Sequence, residues 1–410
     1  MSGQHFRFLH AGGFLLDQPL AGLTEIPEPL TELLIDAPFS AAQKVFDAAL
    51  EERVDFAVLN GDLLDLARPS ARAIAFLLDN FERLDKQGIS VYWACGRLEQ
   101  PQDWPVAAGL PGRVHQFSVT EPEELSHLRG ERPVANIVGR SWHGTASFQV
   151  GEFKTDDDGL PTIVIANGQS DLERLTEQTV DYWALGGQKQ RQTMGSAQKV
   201  IHYAGSPQGR TPDEPGPHGA TLVHVSADRA IRTQFAPTDA IRWHTERVAI
   251  EDDATLDSMR KLLIDRVKQL RAEADARPLI VTWKLRGGAH LAGPAGRRDL
   301  AAEWQEWLRK DFFLANNKPV FWTLAVELDQ PELPEAWFEE ESMLGDFLRN
   351  LKELEAQPPG ELRLGHEIPE HQRGPALASL CQWTEEEYRG VLYEAGLTGA
   401  QLLGAAERDA

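Results

Sequence analysis

The chain is poor in cysteine: its 410 residues hold two, Cys95 and Cys381. Two thiols this far apart give neither a disulfide framework nor a cysteine zinc site, and both are expected to be reduced. Basic residues are also scarce. Lysine and arginine number 41 against 63 acidic residues, for a formal net charge of -22. That balance excludes a large non-specific nucleic-acid footprint, which needs clustered cations against phosphate, and it favours solubility. No apolar run approaches the ~18 residues of a membrane helix. The opening MSGQHFRFLH has no basic n-region and no apolar h-region. The expectation is a soluble, cytoplasmic protein with no membrane partner. Signatures of several enzyme classes are missing too. A serine-hydrolase elbow, Gly-x-Ser-x-Gly, does not occur. The glycine-rich stretch 287–296 lacks the Gly-Lys-Ser/Thr ending of a phosphate loop. His366-Glu367 with His371 is spaced one residue too far for a zincin, and Pro369 breaks any helix that would align the two imidazoles.

What is present reads as alternating strands and helices. Phe6 to His10 is a short apolar run. Ser40 is placed to cap a helix over 40–53, and Val54 to Leu59 is a continuous apolar strand ending in Asn60-Gly61-Asp62. Ser70 caps a second helix, with Ile74, Leu77, Leu78, Phe81 and Leu84 at helical spacing, and the next strand covers 89–94. This order implies a parallel or mixed sheet covered by helices. Further strands are expected at 162–166, 182–185, 199–204 and 220–225, with an irregular Gly/Pro-rich loop over 205–219. Composition changes after Trp243. Residues 246–335 read as a small α+β domain, with strands near 247–250, 279–285 and 320–326 and helices over 257–274 and 299–312. Residues 336–410 read as an acidic helical segment, with a linker over 358–374 and two short helices over 384–395 and 398–408.

Several blocks carry a family resemblance. They are Phe6-Arg7-Phe8-Leu9-His10-Ala11, the run Val54 to Asp65 containing Asn60-Gly61-Asp62, Asp181-Tyr182-Trp183-Ala184-Leu185-Gly186, and Ala204-Gly205-Ser206-Pro207-Gln208-Gly209-Arg210. In this order they resemble double-strand-break-repair exonucleases of the SbcD/YhaO type, a branch of the calcineurin-like metallophosphoesterases, over residues 6 to 245. The resemblance implies an α/β (α+β) fold: a βαβ sandwich of two mixed sheets flanked by helices (1–245), a small α+β cap domain (246–335) and a helical C-terminal segment (336–410). It also implies two manganese or similar divalent ions clamping a phosphodiester, and an SbcC-like coiled-coil ATPase as partner.

The ligand positions depart from the family pattern. Asp-x-His becomes Gly13 and Leu15. Asp62, which would bridge the two metals, is kept. Gly-Asn-His-Asp becomes Gly96-Arg97-Leu98-Glu99, so the amide ligand is Arg97 and the catalytic histidine is Leu98. The lone histidine is Asn167, and the final pair is Gly187 and Lys189. Gly13, Leu15 and Gly187 bring no lone pair, and Arg97 and Lys189 bring cations to where a dication would stand. The expectation is therefore no cofactor and no catalysis, in a pseudo-nuclease acting as a structural or regulatory subunit, with DNA bound only weakly or through the complex. Two other readings stay open: a metal-dependent phosphodiesterase or exonuclease with a relocated or reduced site, and an anion-binding module in which Arg97 and Lys189 hold a phosphate. Arg97 or Lys189 pairing with Asp62 would instead neutralise the pocket. Asp17 and Asp65 are read as scaffold. The helix beginning at Ser70 is a possible homodimer surface, although its stripe suits the sheet equally. Trp337, Phe338, Met343, Leu344, Phe347, Leu348 and Leu351 form an amphipathic stripe that either packs on its own domain or docks a partner helix.

Overall fold

The structure, a computed structural model, describes all residues except 1–4, 24, 156–158, 289, 293–295, 315–318, 330–332, 358–383 and 404–410. The zincin-like 366–371, the linker 358–374, Cys381 and Trp383 lie outside the described residues. The chain divides into two compact units. One holds residues 1–245 with 271–280 and 314–322, and the other holds 246–270, 281–313 and 323–410.

The first unit is built on two six-stranded mixed sheets. β1 (Phe6–Gly12), β2 (Phe56–Asn60), β3 (Ser90–Ala94) and β4 (Val114–Gln116) run parallel, and β11 (Gly219–Val225) and β12 (Ile231–Pro237) continue the sheet antiparallel, in the order β12-β11-β1-β2-β3-β4. The second sheet has the order β5-β6-β7-β8-β10-β9. It comprises β5 (Glu123–Arg129), β6 (Arg132–Gly139), β7 (Thr162–Asn167), β8 (Tyr182–Gly186), β9 (Gln192–Ser196) and β10 (Lys199–Tyr203), with β6, β7, β8 and β10 parallel. Strand alternation sorts the core into layers. Phe56 and Val58 of β2, Ile163 and Ile165 of β7, and Tyr182 and Ala184 of β8 fill the space between the sheets. The intervening Val164, Ala166, Trp183 and Leu185 face outward, onto Phe148, Phe153 and Leu175.

Helices α1 (Glu28–Glu51) and α2 (Ala71–Lys86) cover the other face of the first sheet. In α2 the Ser70 hydroxyl caps the Ala73 amide at 3.0 Å. Ala73, Leu77, Phe81 and Leu84 are all buried in the cluster beneath, so the stripe considered as a dimer surface is consumed by the sheet. α1 starts a dozen residues before the expected Ser40, because buried Pro38 sits inside it instead of ending it. Proline costs a helix one hydrogen bond and some crowding, and the apolar face of α1 against the core outweighs that here. β4, β5, β6, β9 and β12 are additions to the sequence reading.

Toward the carboxyl ends of the strands the space between the sheets turns polar. Phe6 and Phe8 of β1 give way to His10, and Phe56 and Val58 of β2 give way to Asn60. His10 Nδ1 meets the Tyr182 hydroxyl at 3.0 Å. His202 is held between the hydroxyls of Thr193 and Thr221, both at 2.8 Å. Two asparagine amides then tie the sheets together. Asn60 Nδ2 donates to the carbonyls of Ala166 and Ala184, both at 3.0 Å. Asn167 Nδ2 donates the other way, to Ala94 at 2.9 Å and Cys95 at 3.0 Å.

Beyond these sheets, β13 (Arg242–Ile250), β14 (Leu279–Gly287) and β15 (Phe321–Leu328) form a three-stranded sheet that lies largely in the second unit. That unit also holds α4 (Leu256–Glu273) and α5 (Gly296–Phe312), which bury Met259, Leu263 and Val267, and Leu300, Trp304 and Leu308. A short α3 (Leu172–Glu177) belongs to the first unit. The helical segment contains α6 (Glu335–Glu339), α7 (Met343–Glu355) and α8 (Glu385–Leu402). Trp337, Leu344 and Leu348 pack against Ala400, with Phe338, Phe347 and Leu351 at the margin. Most of the amphipathic stripe is thus consumed internally, while Met343 stays exposed. α8 is one helix where two were expected. Among the described residues no helix is long and apolar enough to cross a membrane.

The polar layer makes stability depend on pH. Burial holds the pKa of His10 down at about 3, with Asn60 opposing. It holds His202 at about 2, helped by the charges of His10 and Arg191, and His127 at about 4. Unfolded histidine titrates near 6.5, so below that pH the unfolded chain takes up protons that the folded chain refuses. Stability is therefore unaffected by these groups above about pH 7 and falls as pH drops. Each histidine loses about 1.4 kcal/mol per pH unit below 6.5 until its folded value is reached. The melting temperature is expected to fall steeply between pH 6.5 and 5, and a flat calorimetric profile there would contradict this account. Asn60→Ala is expected to cost about 2–4 kcal/mol in urea unfolding, because two buried carbonyls lose their donor. A loss within experimental error would mean the amide ties contribute nothing.

Candidate functional site at the strand ends

The residues singled out in the sequence come together at the carboxyl ends of four strands. Gly13 and Leu15 follow β1, Asp62 follows β2, Arg97 and Leu98 follow β3, and Asn167 ends β7; Gly187 and Lys189 join them from the end of a fifth, β8. Glycines permit the approach. A Cβ on Gly61 would lie 2.2 Å from the Gly96 nitrogen, and one on Gly186 would lie 2.1 Å from Asn167 Oδ1. The loops after β1 and β2 stay in register through hydrogen bonds from Gly13 N to Gly61 O (2.8 Å), Leu15 N to Asp62 O (2.9 Å) and Leu16 N to Leu63 O (3.0 Å). Leu15 (φ 48°) and Asp62 (φ 52°) adopt left-handed backbone that side chains other than glycine rarely take.

Most polar side chains at this crater have a defined occupation. Asp62 Oδ1 accepts the Leu98 amide at 3.1 Å. Asn167 is committed to the two carbonyls of the first sheet described above. The Lys189 ammonium lies 2.7 Å from Glu214 Oε1 and so pairs with Glu214, not with Asp62. Glu214 is buried and also accepts from the Thr211 hydroxyl (3.3 Å) and the Arg210 amide (3.2 Å). Arg97 is exposed and forms no ion pair among the described residues. Asp17 and Asp65 do not meet as a pair. Asp17 holds the Ser70 hydroxyl and amide at the start of α2, and Asp65 caps the Ala67 amide.

Three residues that sequence reasoning assigned no role organise the site. Glu99 is fully buried, and its Oε1 accepts from Gly96 N (3.2 Å), Leu63 N (3.3 Å) and Trp93 Nε1 (3.3 Å). Burial, and after it the charge of Asp62, push its carboxyl well above the usual carboxylate range, against the three hydrogen bonds it accepts. Arg210 is buried and donates to the carbonyls of Phe14 (3.4 Å), Leu15 (2.9 Å) and Gln18, pinning the loop after β1. Burial lowers its pKa to about 10, against the pull of Glu214. Glu214 pins the loop after β8 through Lys189. The Gly/Pro-rich stretch expected to be merely irregular is thus packed and buried over 204–210. The only sequence signal for this was the position of Glu99 and Arg210 within the quoted blocks; nothing marked Glu214.

A two-metal phosphoesterase centre needs several carboxylate, imidazole or amide donors around each ion. Among the described residues no group of three or more histidine, cysteine, aspartate or glutamate side chains is placed to hold a metal. At the crater itself Asp62 is already hydrogen-bonded, and the neighbouring carboxyl, Glu99, is turned into the core, where its Oε1 accepts three donors. This donor set does not suit a dinuclear ion pair.

Comparison with known proteins places the chain. No family profile matches it. The metallophosphoesterase YhaO of Bacillus subtilis (strain 168) is 30% identical over 315 residues, covering 71% of this chain and 75% of that protein. Among solved structures, TT1561 of Thermus thermophilus is 12% identical, covers 56% of this chain and 98% of its own, and superposes with a TM-score of 0.34. Vps29 of Entamoeba histolytica, in complex with zinc, is 14% identical over 57% of this chain and 99% of its own, with a TM-score of 0.25. Identity with YhaO at this level, across most of both chains, makes this protein a member of the YhaO-like metallophosphoesterase family.

Proposed function

We propose that this chain is a non-catalytic member of its family, a pseudo-nuclease serving as a structural or regulatory subunit in DNA-end processing beside an SbcC-like coiled-coil ATPase. The observation that carries the first part is the donor set at the strand ends. Positions that would supply lone pairs are Gly13, Leu15, Leu98 and Gly187, and Lys189 brings an ammonium that Glu214 holds at 2.7 Å. One hydrogen-bonded aspartate does not retain a hard divalent ion against water. The Lys189–Glu214 pair also weighs against an anion clamp between Arg97 and Lys189, because the ligand would have to displace a buried carboxylate. A relocated phosphodiesterase site has no cluster of ligands among the described residues to support it.

The partner half of the proposal draws support from α7 and α8. Phe347, Val391, Ala395, Gly399, Leu402 and Leu403 line an open apolar groove of about 580 Å³. Val391 and Leu402 are exposed, and Glu394 is the one acidic residue of the lining. Such a groove suits the apolar stripe of a partner helix. DNA contact by the isolated, strongly acidic chain is expected to be weak.

Two measurements test the reading. After incubation with manganese and desalting, the protein is expected to retain less than about a tenth of an equivalent of metal and to melt within about 1 °C of its EDTA-treated form. It is also expected to leave double-stranded DNA ends intact. Stoichiometric manganese with metal-dependent cleavage would sink the proposal. Val391→Asp combined with Leu402→Asp, which alters only exposed groove positions, is expected to weaken capture of the cognate coiled-coil ATPase at least about tenfold. Unchanged capture would remove the groove from the account.

A further inference from the structure

The second unit contains a basic cavity unrelated to the strand-end crater. It has a volume of about 510 Å³, in the range of small-molecule sites, and lies between β14, the end of β15, the first turn of α5 and the middle of α8. Its charge composition is unusual for a chain carrying -22. Four basic side chains, Lys284, Arg286, Arg297 and Arg298, line it against three carboxylates, Glu327, Asp329 and Glu394, which leaves one positive charge.

The pairing within the cavity shows which cations remain available. Lys284 meets Glu327 at 3.3 Å, and Arg298 meets Glu394 at 2.8 Å. Arg297 is buried and its guanidinium holds two neutral carbonyls, Asp329 O at 3.1 Å and Gly287 O at 2.8 Å. The Asp329 carboxylate, which accepts the Gly287 amide at 3.2 Å, offsets part of the Arg297 charge and leaves Arg286 as the cation facing the cavity without a carboxylate. Arg286 is exposed and forms no ion pair among the described residues. The two arginines of α5 stand in its first turn, where the helix dipole favours an anion and disfavours a cation. Two cations at that end are a local cost that an anionic ligand offsets. Leu328 and Leu397 supply apolar wall, and Tyr393 supplies an aromatic ring.

We propose that this cavity binds a small phosphorylated organic molecule of about nucleotide size. Its phosphate lies against Arg286 and the α5 amino terminus beside Arg298, and its organic part lies on Leu328, Leu397 and Tyr393. Arginine forks match phosphate oxygens two at a time, and the volume accommodates a nucleoside monophosphate.

The test is isothermal titration of the full-length protein at low salt with AMP, inorganic phosphate and a short DNA duplex. AMP is expected to bind saturably near one equivalent and more tightly than inorganic phosphate. Arg286→Glu, at an exposed position, is expected to weaken AMP at least about tenfold, because it replaces an attractive with a repulsive charge. Arg298→Gln is expected to weaken it less, and Lys86→Glu on α2 not at all. Absence of saturable AMP binding up to about 10 mM (a very weak affinity), equal affinity for phosphate and AMP, or an unchanged constant in Arg286→Glu would each overturn the assignment. So would duplex DNA binding that depends on Arg286 while AMP does not bind. None of these results bears on metal retention at the crater.

Discussion

The site depends on a reciprocal pair of amide ties between two sheets. Asn60 reaches from the first sheet to main-chain carbonyls of β7 and β8, and Asn167 reaches from the second sheet to the end of β3. Each amide nitrogen donates both of its hydrogens to main-chain carbonyls, in a region with little water to compete. The ties sit where the aromatic filling between the sheets gives way to His10, His202 and Thr221. They fix how closely the strand ends converge, and Gly186 is the consequence, since a Cβ there would lie 2.7 Å from the Asn60 Cβ of the opposing sheet.

What stands above this platform is held by the protein's own groups. Arg210 clasps the loop after β1, Glu214 holds Lys189 after β8, and Asp62 takes the Leu98 amide. Asn167 illustrates the logic. In the family pattern its position carries a metal-binding imidazole, and here the side chain is turned into the sheet interface as a structural donor.

Much of the first unit was legible because its strands are buried on one or both faces and write continuous or alternating apolar text, as at 54–59, 162–166 and 182–185. Strands with half-exposed, mixed sequence, such as β5 and β9, left no such trace. The early start of α1 was hidden by Pro38. The break expected in α8 falls at Gly396, which lies inside the helix and serves packing, since a Cβ on it would lie 2.8 Å from Leu333. At the crater, sequence located the positions, but Lys189 pairs with a glutamate inside an irregular loop, and no periodicity announces such a partner. The cations that line the cavity stand on β14 and α5, and its carboxylates at the end of β15 and on α8, which only the fold collects.

The central claim is that the strand-end crater has given up its metals and is held closed by internal bonds. Crystals soaked in manganese and measured at the manganese absorption edge address it directly. The account predicts no anomalous peak beside Asp62 and an intact Lys189–Glu214 contact. Two peaks roughly 3.5–4 Å apart bridged by Asp62, the spacing of two-metal phosphoesterase centres, would contradict it.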